Sequence, residues 1–171
     1  MDRQTPADVL PRPVLLALGL LTLPHELAHA AAMRPWTADV RVDLEPTRDE
    51  RFVGRGLDRP LARFDAAVPL DTPPWAIRLC AVAPLPAFLA VAVVLDAVLG
   101  LAGVSSGTLV ATAAVAYWAS LSDGDMAVFL SPEEVIDAGA FVVAGVPRAA
   151  TVASPLLTLA TTVVVALVFL T

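Results

Sequence analysis

The sequence predicts an all-α membrane protein, a single integral domain spanning residues 1–171, with about four transmembrane helices and a small polar, partly β loop between spans one and two. Three observations predict this class. The chain is 57% hydrophobic, above the roughly 50% of an ordinary soluble domain, and its mean hydropathy is +0.75. Four apolar stretches, 14–33, 75–101, 108–130 and 152–170, come close to or exceed the ~20 residues that a helix needs to cross a bilayer. With 171 residues, four spans leave little chain for a second domain.

The opening segment "MDRQTPADVLPRP" carries acids and prolines and no small-residue cleavage site follows it, so the first apolar run reads as a retained span and not as a signal peptide. Arg34-Pro35 closes that span, because the residue before a proline is pushed out of the helical region. Residues 34–74 are polar and hold seven arginines. Alternation in "ADVRVDLE" and "ERFVGRGL" predicts a small hairpin or irregular β cap there, with "GRG" at 54–56 as a turn and not a phosphate loop. In the second span Pro84 and Pro86 predict a kink, which neighbouring helices can accommodate.

After the third span, "SPEEV" reads as a helix start: Ser131 as N-cap, Pro132 at the first helical position and Glu134 closing a capping box. The helix predicted there, about 132–146, is too short to span and is assigned to the interface. Orientation follows from arginine counting. Arg148 and the seven arginines of the 34–74 loop share one side, against Arg3 and Arg12 on the other. Both termini are therefore expected outside and the loop at the cytoplasmic face of a multi-pass cell-membrane protein.

Seventeen acidic residues face eleven basic ones, all arginine. The balance argues against nucleic-acid binding and fits a halophilic cytoplasm, although a GC-rich genome alone would explain arginine in place of lysine. Cys80 is the only cysteine, so an intrachain disulfide and a thiolate zinc cluster are both excluded.

Inside the first apolar stretch stands "HELAH", residues 25–29, the HExxH pattern. Helical residues four apart turn about 400°, which stacks His25 and His29 on one face where two imidazole nitrogens reach one zinc ion. Glu26 projects beside the pair, placed as the general base that takes a proton from water activated by the ion. That is the logic of metal-assisted peptide hydrolysis. Both of the chain's histidines lie in the motif, and polar groups in an apolar helix are costly unless they serve a function. The plainer alternative is that they hydrogen-bond neighbouring helices and hold the bundle together.

A catalytic zinc takes three protein ligands, and with no further histidine the third must be a carboxylate. Asp96, Asp123 and Asp125 lie in apolar surroundings. Span three runs parallel to span one, so "SDGD" at 122–125 is level with the histidines, while Asp96 lies toward the opposite face. Asp123 and Asp125 point about 200° apart on a helix, and Gly124 between them allows close approach or local unwinding. "SDGD" also reads as a turn ending a shorter span. Tyr117 and Trp118 are read as packing residues, and Arg78 as an interfacial residue that snorkels or pairs with an acid.

These motifs resemble the intramembrane zinc metalloproteases of the site-2 protease class, and more narrowly the small membrane zincins that combine HELxHA, an "AP" after a charged loop and a later SxGD. Here the elements read "HELAHA" at 25–30, "APL" at 83–85 and "SDGD" at 122–125. The resemblance implies Asp125 as third metal ligand, with Asp123 as the alternate because Asp123-Gly124 echoes the broader site-2 pattern. It also implies Zn2+ as cofactor and cleavage of a membrane-protein or membrane-adjacent peptide near the cytoplasmic face. An exposed strand of the 34–74 loop would then pair with an extended substrate, or the loop would simply cover the site. Two other classes fit the same residues: a catalytically inactive membrane zincin acting on partners, and a small proton- or metal-handling bundle.

Overall fold

A computed structural model describes residues 12–44, 62–100 and 103–170. The expected turn at 54–56 and the "ERFVGRGL" piece lie outside these residues. The described chain is mostly helical: α1 (Arg12–Met33), β1 (Val40–Asp43), β2 (Arg63–Ala66), α2 (Pro74–Val82), α3 (Pro84–Leu99), α4 (Ser106–Ala119), α5 (Asp123–Leu130), α6 (Pro132–Ala138) and α7 (Arg148–Leu170).

Strands β1 and β2 form an antiparallel pair with Arg41 opposite Asp65 and Asp43 opposite Arg63. Both facing pairs are of opposite charge, which favours this register over its neighbours. Phe64 and Ala66 alternate inward as buried residues. Beyond Ala66 the outer side of β2 is already occupied, since Val68 N–H donates to Gly139 O (3.0 Å) and Phe141 N–H to Ala66 O (3.2 Å).

The second apolar stretch is two helices, α2 and α3, bent by 42° at Ala83. The third is also two: α4 stops at Ala119 and α5 starts at Asp123, so no single helix covers 108–130. Ser122 supplies the reason. Its hydroxyl accepts from Asp125 N–H while the Asp125 carboxylate accepts from Ser122 N–H, a capping box that starts a new helix in the middle of an apolar run. The capping box expected at Ser131 does not form. Ser131 donates its N–H to Ala127 O as the end of α5, and its side chain makes no cap bond. The helix it precedes ends at Ala138, where Gly139 takes a left-handed φ of 64°, well short of residue 146. Gly124 sits in the first turn of α5, where an added Cβ would meet Ser122 Oγ at an ordinary 3.5 Å, so no close approach demands glycine.

Three packing centres result among the described residues, the smallest being Leu121, Met126, Ala127 and Ala150 between α5 and α7. Ala92 of α3, Val115 and Ala116 of α4, and Val165 and Phe169 of α7 make a three-helix core. Met33, Phe64, Ile77, Cys80, Val128 and Val135 make a second, joining the end of α1 to the sheet, α2, α5 and α6. By length and composition, α7 can cross a membrane alone, and the bent α2–α3 pair is a second candidate if counted as one span. Helix α7 is not a core helix in disguise, because Val152, Leu156, Leu159 and Leu167 are each more than half exposed.

Ile77 is fully buried and Leu99 is 60% exposed. Ile77→Ala is expected to destabilise the fold by about 2–5 kcal/mol, read as a lowered unfolding midpoint in detergent, while Leu99→Ala stays within about 0.5 kcal/mol of the parent.

Candidate metal centre

His25 and His29 project from one face of α1, and α5 brings Asp125 to them. His29 Nε2 lies 3.1 Å from Asp125 Oδ1, and His25 Nε2 lies 3.3 Å from Asp125 Oδ2. The two Nε2 atoms are 3.1 Å apart. Among the described residues, His25, His29 and Asp125 are the group of three that could hold a metal ion, each offering one ligand atom. Asp123 is not in the group. It lines a separate groove with Thr151, Ser154 and Thr158. Asp96, near the end of α3, is not in it either.

The hydrogen bonds around the rings suit this group to holding a cation. His25 Nδ1 meets Trp118 O at 2.9 Å and His29 Nδ1 meets Cys80 O at 2.7 Å. A carbonyl only accepts, so each Nδ1 carries the ring proton and each neutral ring turns a bare Nε2 lone pair inward. Two such lone pairs and a carboxylate at these separations repel one another unless a positive charge, a ring proton or a metal ion, lies among them. A tetrahedral zinc site with bonds of about 2.0–2.1 Å places its ligand atoms about 3.3 Å apart, close to the three separations found. The donor set therefore fits a divalent ion with a preference for mixed nitrogen and oxygen ligands.

Asp125 is held by Ser122 at the oxygen that faces His25. Ser122 donates to Oδ2 from both its N–H (2.7 Å) and its hydroxyl (2.8 Å). The His29 ring stacks on Phe64, centroids 5.8 Å apart, and Cys80 Sγ–H reaches back to His29 O at 3.4 Å. Trp118 ties the helices twice, accepting from His25 and donating its indole N–H to Leu21 O at 2.7 Å. Glu26 accepts a hydrogen bond from Phe64 N–H at 2.9 Å.

In front of the centre opens a cavity of about 640 Å³, lined by His25, Glu26, Tyr117, Ser120 and Thr158 among others. Tyr117 is thus a wall of the cavity, 47% exposed, and not a packing residue. Arg78 stands apart from the centre, donating to Phe129 O and lying 3.9 Å from Glu133, an exposed pair of small energetic weight. Sequence reasoning missed Trp118, Cys80, Phe64 and Ser122 because three of them act through the main chain. Only Ser122 carried a readable signal, the Ser-x-x-Asp spacing of a cap.

Comparisons with protein-family models, with curated proteins and with solved structures returned no match.

Asp125→Ala is expected to lower zinc affinity by at least about tenfold and Asp123→Ala to leave it unchanged, as measured by chelator competition on the purified protein. Equal losses would remove Asp125 from the ligand set.

Proposed function

We propose that this protein is a zinc-dependent intramembrane endopeptidase of the site-2 protease type, hydrolysing a peptide bond of a membrane-embedded or membrane-adjacent polypeptide near the cytoplasmic face. One observation carries the reading. Two imidazole nitrogens 3.1 Å apart each meet one oxygen of the Asp125 carboxylate, at 3.1 and 3.3 Å, with a second carboxylate, Glu26, beside them on the wall of an open cavity.

His25, His29 and Asp125 would hold the ion, and the position left open by three protein ligands is the one that catalytic zinc sites keep. Bound there, zinc supplies Lewis acidity and lowers the pKa of a coordinated water toward ~7. Glu26 would serve as the general base and acid, holding a proton on its way from the attacking water to the leaving amine. Its carboxylate is steadied by Phe64 N–H through Oε2, so its other oxygen is the one free for proton transfer. Phe64 faces Val42 in the ladder, a position whose N–H points away from β1. The same outer edge of β2, unoccupied by the Gly139–Phe141 segment on this side, suits an extended substrate strand.

A four-span, multi-pass arrangement with both termini outside belongs to the same proposal. It is supported by the apolar stretches, by the arginine bias of the loop that carries β1 and β2, and by the exposed leucines and valines of α3 and α7. In such surroundings a metal centre is a rational use of otherwise costly polar groups.

The test is metal content and cleavage measured together in detergent. Wild type is expected to bind about one zinc per chain and to cleave members of a transmembrane-peptide library. Glu26→Gln should keep the zinc and lose about 10²–10⁴-fold in rate, and His29→Ala should lose the zinc. Wild type without bound metal would overturn the metal centre. Zinc without cleavage of any peptide would overturn the peptidase and leave a non-catalytic membrane zincin.

A further inference from the structure

The two breaks in the apolar helices fall where the two histidines find their hydrogen-bond acceptors. In an unbroken α-helix, the carbonyl of residue i accepts from the N–H of residue i+4. The acceptor for His29 is Cys80 O, and its i+4 residue is Pro84, which has no N–H. The acceptor for His25 is Trp118 O, and its i+4 residue is Ser122, whose N–H is turned to Asp125 Oδ2 at 2.7 Å. Each carbonyl that orients a histidine has been relieved of its helical partner, once by proline and once by a capping box.

From this coincidence we propose that Pro84 is a positioning residue for the metal centre. By withholding the N–H that would occupy Cys80 O, it leaves that carbonyl to accept His29 Nδ1–H, which turns the unprotonated Nε2 toward His25 and Asp125. The Ser122 amide performs the same service for His25. The proposal rests on the metal centre described above and not on peptide hydrolysis.

The geometry of the bend agrees. Cys80 O accepts from Ala83 N–H at 3.2 Å and from the His29 ring at 2.7 Å, so both of its lone pairs are engaged. A third donor at position 84 would compete directly with the ring. The helix axis bends by 42° at this point. Pro86 is an internal control, since its missing N–H faces residue 82, whose carbonyl meets neither histidine among the described hydrogen bonds. A second proline, two residues on in the first turn of the same helix, thus removes an N–H without freeing a carbonyl for either histidine. The orientation of a metal-binding imidazole by a carbonyl on its other nitrogen is worth about 10–100-fold in metal affinity where it has been removed.

The experiment compares Pro84→Ala with Pro86→Ala in the full-length protein, reading zinc affinity by chelator competition and the ring tautomers by 15N NMR of the metal-free protein, whose two histidines give a simple spectrum. Pro84→Ala should weaken zinc binding by about 10–100-fold and move the His29 ring away from the Nδ1–H form. Pro86→Ala should leave both readouts unchanged. Wild-type zinc affinity in Pro84→Ala, or equal losses in the two variants, would overturn the proposal. Should Pro84→Ala not fold, the wild-type spectrum alone decides: an Nε2–H tautomer at His29 in the metal-free protein overturns it. Absence of zinc in wild type would instead refute the metal centre, so the two failures are distinguishable.

Discussion

The site depends on keeping electron-rich groups together: His25 Nε2 and His29 Nε2, 3.1 Å apart, and the Asp125 carboxylate, whose Oδ2 lies 3.3 Å from the first and whose Oδ1 lies 3.1 Å from the second. Without a cation this is an electrostatic defect, and the fold spends several devices on holding it. Backbone carbonyls on α2 and α4 pin the outer nitrogens, a serine pins the Asp125 oxygen that faces His25, and Phe64 presses on one ring face. Such outer contacts set the rotamers and tautomers of ligands before an ion arrives, which lowers the cost of binding it.

The same demand explains why the apolar helices are broken. A helix satisfies its own main chain, and in a low-dielectric medium that self-sufficiency is what makes it stable. It also leaves no carbonyl to spare. Interrupting α2–α3 at Pro84 and α4–α5 at Ser120–Ser122 exposes acceptors at the depth where α1 presents its imidazoles. Asp125 contributes twice, closing the cap that starts α5 and facing the histidines with the same carboxylate. Loss of helical regularity and gain of a site are here one structural event.

Much of this was legible in the sequence. The HExxH spacing put two imidazoles on one helix face, and the depth argument selected "SDGD" over Asp96. The choice between Asp123 and Asp125 was not decidable from a 200° separation, because that angle presumes a helix continuing from α4; the capping box instead starts a new helix with its own phase. The hydropathy of 108–130 hid that break, since Ser120, Ser122, Asp123 and Asp125 are few among many apolar neighbours. Ser131 misled in the opposite direction. Its sequence signature was sound, but its backbone was already committed to ending α5. The contributions of Cys80 and Trp118 lie in their carbonyls, which every residue has and no side-chain pattern can advertise.

The ligands of the centre stand a hundred residues apart in the chain, His25 near its beginning and Asp125 well past its middle. At ribosomal rates of about 5–20 residues per second, some 5–20 s separate the synthesis of the first ligand from that of the last. Throughout that interval the nascent polypeptide presents two histidines and a glutamate but lacks the third ligand. An incomplete chain, or one truncated before α5, therefore cannot assemble the three-ligand centre.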